Sequence, residues 1–174
     1  MLGHLEVGRR ELIVVVDAVP VSDHGLCPEV RAWSVANVLS HLARTEGQVA
    51  ALLQKRSRPL LAGDEPTRPA GSGSVAGRFD GAPVLDRTTR LDAPAFAAPD
   101  PAMTSRAALG RLERSRARLV DAVVAVDGLD ASEVRQAHHV FGELDLYQWV
   151  FFAGFHERRH TAQLREISAA LRAR

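Results

Sequence analysis

The chain has 174 residues, 46% apolar and 25% charged, which is ordinary globular composition. A chain of this length buries about two-thirds of its unfolded surface and needs no covalent staples. Its 22 basic and 21 acidic residues nearly cancel, so no electrostatic footprint points to nucleic acid or an anionic membrane.

A first helix is expected from about Leu2 to Val19. Leu5, Leu12, Ile13 and Val16 fall near one face, Gly8 weakens the pattern and Pro20 stops it. Its apolar run, Leu12–Val16, is bounded by Glu11 and Asp17 and falls short of the ~20 residues of a membrane span. No small-residue cleavage pattern follows it, so it reads as a helix and not a secretory leader. The single cysteine, Cys27, excludes an internal disulfide and a cysteine-cluster metal site. A loop thiol in a cytoplasmic protein is the reading that fits it.

The second helix starts at "WSVAN": Ser34 caps it, and Trp33 packs on Val38 as a hydrophobic staple. Val35, Val38, Leu39, Leu42, Val49, Leu52 and Leu53 recur at helical spacing up to about Ser57. Residues 57–103 then hold seven prolines and the glycine-rich "GSGSVAGRFDG", with little periodicity. A loop of that length needs a geometric reason. If the second and third helices of a bundle run parallel, the chain must travel its whole length between them. The stretch "GSGSVAG" lacks both the spacing and the lysine of a phosphate loop.

A third helix is expected from Thr104 or Ser105 to Asp127, ended by Gly128, with Leu109, Leu112, Leu119, Val120 and Val123 inward. Arg111, Arg114 and Arg118 form its solvated side. The fourth begins near Leu144 and runs almost to Arg174. Leu146, Trp149, Ala153, His156, His160, Leu164, Ile167 and Leu171 make one inward stripe. No β alternation of any length is seen. The expected architecture is all-α: one domain, residues 1–174, of four helices with 57–103 as a long crossover.

Two histidines on a buried stripe, one turn apart, require partners for their ring nitrogens. At i and i+4 the rings can converge on one metal ion. His41, in "NVLSHLARTE", is a candidate third ligand from a facing helix. Three neutral imidazoles suit Zn, Ni, Fe or Mn and leave positions open for water or substrate. His138 and His139 are adjacent, so on regular structure their rings point apart; one of them can reach the mouth of the site. His4 and His24 receive no role.

The motif "HERRH" (His156–His160) also matches the H-E-x-x-H of zinc peptidases, with Glu157 as base. Metzincin-like spacing would place Gly at 163 and His at 166, where this chain has Gln163 and Glu166. Glu157 is therefore expected to form a salt bridge, to Arg158 or to a neighbouring helix. Gly154 costs ~1 kcal/mol inside a helix and implies a close helix contact or room for a ligand. Gln163, one turn after His160, can bond a ligand's second nitrogen or pack at the helix edge. Trp149 and Phe152 are expected to be core.

"AWSVANVLSHLARTE" (Ala32–Glu46) and "HHVFGELDLYQWVFFAGFHERRHTAQLREI" (His138–Ile167) resemble the first and last motifs of the DinB/YfiT-like superfamily. The resemblance implies an up-down-down-up four-helix bundle with the long crossover between its second and third helices. It also implies one divalent ion, Zn or Ni foremost, held by His41, His156 and His160. Relatives include thiol-dependent transferases and a maleylpyruvate isomerase that use bacillithiol or mycothiol. The expected activity is thus thiol-dependent S-transfer or isomerisation, or hydrolysis, of a small molecule. The alternative is a non-enzymatic, stress-linked metal bundle. A homodimer fits a small bundle of this family, although no face in the sequence marks an interface.

Overall fold

The computed structural model describes residues 1–29, 32–63, 77–88 and 92–174. In chain order its elements are α1 (Leu2–Asp17), α2 (Val35–Arg56), α3 (Arg58–Ala62), α4 (Ala82–Leu85), α5 (Ser105–Ala125), β1 (Arg135–His138), β2 (Gly142–Asp145) and α6 (Leu146–Arg172). The protein is mostly helical, with one small antiparallel sheet. Apart from Gly77, the "GSGSVAG" stretch lies outside the described residues. No helix among those described is long and apolar enough to cross a membrane.

Local chemistry sets the helix starts. Ser34 accepts from the Asn37 amide at 3.2 Å while Asn37 Oδ1 accepts from the Ser34 amide, a reciprocal cap that satisfies two end donors. Thr104 caps α5 through Ala107. Asp145 and Gln148 repeat the reciprocal cap at α6, so that helix starts at Leu146, two residues after the expected Leu144.

The expectation of no strand fails between Arg135 and Asp145. β1 and β2 pair antiparallel, with His138 opposite Gly142. Gly142 has φ 71°, the left-handed conformation that closes a three-residue hairpin loop. Strands of 4 residues are too short to show a period in sequence. Such a hairpin is marginal by itself and is held here by packing. Leu144 enters the core, and Trp149 Nε1 donates to the Gln136 carbonyl at 3.1 Å.

Helix α2 packs along α5, α1 along α6, and α2 also against α6. The buried apolar side chains form two clusters. One contains Leu5, Val49, Leu53, Leu119, Trp149 and Phe152. The other contains Leu12, Val16, Val38, Leu39, Leu112 and Leu164. On each of the four long helices polar residues stand between them: Arg9 on α1, Glu46 on α2, Arg116 on α5, and His156, Glu157 and His160 on α6. The functional candidates lie in this polar layer.

Candidate metal centre

The structure brings His41, His156 and His160 together. The Nε2 atoms of His41 and His160 each stand 3.2 Å from His156 Nε2. One nitrogen from each ring lies within 4.8 Å of the others, close enough for the three to hold one ion. Tetrahedral ligands with N bound at 2.0–2.1 Å stand about 3.3 Å apart, so the two shorter spacings already match.

The outer nitrogens decide which tautomers face the centre. His41 Nδ1 lies 2.7 Å from the Ala97 carbonyl, and His160 Nδ1 lies 2.7 Å from Gln163 Oε1. Both partners accept, so both Nδ1 atoms carry the proton and both Nε2 atoms present lone pairs. His156 Nε2 faces both and has at most one proton to give. One proton cannot serve two contacts with lone-pair donors, whereas a cation among the rings satisfies all three. The donor set therefore fits a divalent metal.

Burial strengthens the fit. Loss of solvent is the largest cause in each ring: it lowers His41, drives His156 well below the ordinary histidine value, and brings His160 to about 3. Neighbouring rings add to the effect at His156 and His160. His156 keeps some surface towards a cavity, yet its ring is deep enough for desolvation to dominate. Neutral imidazole is the form that binds metal.

That cavity has a volume of about 300 Å³ and touches all three rings. Trp33, Leu52, Phe96, Phe141, Trp149 and Phe152 give it an apolar wall, with Thr45, His138 and His139 among its polar members. Trp33 packs against the cluster that contains Val38 and sits 4.9 Å from the His41 ring. Trp149 and Phe152 are core and cavity wall at once. The crossover helps to close the site: Ala97 supplies the carbonyl for His41, and Val84, Asp92 and Phe96 line the cavity.

The other candidates fall into place around it. Glu157, 2% exposed, points away from the rings into a buried charge network. Its oxygens meet Arg9 at 2.6 Å and Arg116 at 2.8 Å, and Glu46 completes the group at 3.2 and 2.6 Å. The salt bridge to neighbouring helices is present; Arg158 pairs with Glu11 instead. So engaged, Glu157 is no peptidase base. Gln163 is the partner of His160. The His138 and His139 rings stack 4.5 Å apart instead of diverging, because the hairpin turn bends the chain there, and both line the cavity. His24 bonds the Val19 carbonyl, and Cys27 is exposed.

His4 explains Gly154. A Cβ at 154 would collide with the His4 ring, which packs 4.6 Å from Phe155 and 5.6 Å from Phe151. Arg9, Glu46 and Arg116 escaped the sequence reading. The available signal was a charged residue interrupting each apolar stripe.

The model of the DinB superfamily matches residues 4–164, and the chain belongs to that superfamily. It is similar to the uncharacterized protein YuaE of Bacillus subtilis (strain 168), 29% identical over 141 residues, covering 80% of each chain. No solved structure is a significant match to the chain.

Proposed function

We propose that His41, His156 and His160 hold one divalent ion, Zn or Ni first among the candidates. On this reading the chain is an enzyme acting on a small molecule in the adjoining cavity. The observation that carries it is the convergence of three Nε2 atoms whose outer nitrogens are committed to acceptors on two of the rings. An ion held there supplies Lewis acidity to whatever occupies the open side. The chain's own residues do the rest. Ala97 and Gln163 orient the ligand rings, and Trp33, Trp149 and Phe152 exclude bulk water. The apolar wall receives the substrate body.

Superfamily membership favours transfer or isomerisation with a low-molecular-weight thiol, and hydrolysis is the second chemistry. We read residues 1–174 as one up-down-down-up bundle. Support comes from contact order: His4 meets Gly154 and Arg172 reaches the Ala18 carbonyl, a parallel pairing of α1 and α6. His41 meets His160 while Val49 and Leu53 join Trp149 and Phe152, an antiparallel pairing of α2 and α6.

The test is a turnover screen of metal-loaded protein with small thiols paired with electrophiles, and with small esters and amides. Turnover lost in His156→Ala supports an enzyme. Tight metal binding with no turnover in any pair supports the rival reading, a non-enzymatic metal-binding bundle.

A further inference from the structure

We infer that His138 is a fixed hydrogen-bond donor in the cavity, selecting a small, largely apolar ligand that carries a carbonyl oxygen. The backbone amides of Val140 and Phe141 both donate to His138 Nδ1, at 3.1 and 3.3 Å. An imidazole nitrogen that accepts from two amides cannot carry a proton, so the ring's proton sits on Nε2. Among the described residues, Nε2–H has no protein acceptor. His138 lines the cavity, so that donor is available to a ligand.

The hairpin makes this arrangement possible. Its loop, residues 139–141, wraps the two amides over the last residue of β1, and the Gly142 conformation closes the turn. Phe141, Trp149 and Phe152 hold the ring at 4.9, 5.1 and 4.5 Å between centroids. Phe152 also stands 5.3 Å from the His156 ring, so a ligand reaching from His138 to the three histidines lies across its face.

The wall chemistry narrows the ligand. Aromatic and aliphatic side chains dominate it, which suits an apolar body. A neutral N–H donates to a carbonyl oxygen, and Arg159, also on the wall, turns Nη1 to the Val84 and Asp86 carbonyls. Thr45, one turn beyond His41, also lines the cavity.

This inference deepens the proposed function and rests on it for the cavity being a ligand site. The probes are acetophenone and ethylbenzene, titrated into metal-loaded protein and followed by tryptophan fluorescence. Acetophenone is expected to bind about 3–10-fold more tightly than ethylbenzene, the worth of one neutral hydrogen bond. In His138→Phe that preference vanishes while ethylbenzene binding stays. Nitrogen NMR of wild-type protein at pH 7 is expected to show the Nε2–H tautomer for His138.

Three results overturn the inference: an unchanged preference in His138→Phe, no binding of acetophenone to the wild type, or an Nδ1–H or doubly protonated ring. Metal content of the same samples separates the two readings. Discrimination by protein that takes up no metal would sink the metal site and keep the His138 donor. Metal-replete protein that does not discriminate would do the reverse.

Discussion

The Glu157 carboxylate stands 2.6 Å from the Arg9 guanidinium, although its neighbour in the chain, His156, faces two other imidazoles. Successive residues on a helix are turned by about 100°, which is enough to send one to a metal centre and the next into a charge network. That network takes one residue from each long helix: Arg9, Glu46, Arg116 and Glu157. Its two cations and two anions balance one another. Removing one member strands the others, and a broken buried pair costs about 3–5 kcal/mol. Glu157→Gln is therefore expected to lower unfolding free energy on that order in urea titrations while leaving metal stoichiometry unchanged. Metal loss in a folded variant would return Glu157 to the site.

Gly154 makes room for His4. Gly154→Ala gains helix propensity of ~1 kcal/mol but forces the His4 ring off Phe151 and Phe155, and such overpacking costs about 1–3 kcal/mol. The single variant should melt at lower temperature, and the double variant with His4→Ala should recover part of the loss. Additive effects in thermal melts would contradict the contact.

Gln163 fixes the His160 tautomer through a 2.7 Å bond. Loss of such a partner lowers metal affinity by about 10–100-fold. Gln163→Leu should show that loss in competition with a chromogenic chelator, and Gln163→Glu, which keeps an acceptor, should show less.

Acid sensitivity follows from the buried imidazoles. His138 falls from 6.5 to about 4, chiefly because it has left solvent and secondly because His139 is beside it. A lowered folded value means the unfolded chain takes up the proton that the folded protein refuses. The stability from this group is complete above pH 6.5 and is lost as pH falls towards 4. His4, His41, His156 and His160 shift in the same direction. In metal-stripped protein, urea midpoints should drop between pH 7 and 5, with a shallower slope in His138→Phe. Equal slopes would remove His138 from the account.

Much of the fold was readable because long amphipathic helices repeat their signal. The stripe from Leu146 to Leu171 carried both α6 and its two histidines, and Ser34 announced α2 together with the element that bears His41. Contacts between distant residues were not readable. Glu46 and Arg116 are 70 apart in sequence, and nothing local marks them as partners. The hairpin escaped because 4-residue strands have too little length for a period, and with it went the stacked pair His138 and His139. The Asp145–Gln148 cap was present as D-x-x-Q but lay behind the more prominent apolar stripe. Crossover residues such as Ala97 contribute through backbone carbonyls, which no side-chain pattern reveals.

Elemental analysis of protein purified without a histidine tag, wild type beside His41→Ala, bears on the three-histidine centre at its root. About one divalent ion per chain in the wild type, lost in the folded variant, is the expected result. A wild type that takes up no metal even when offered Zn or Ni, or a variant that keeps its metal, would contradict it.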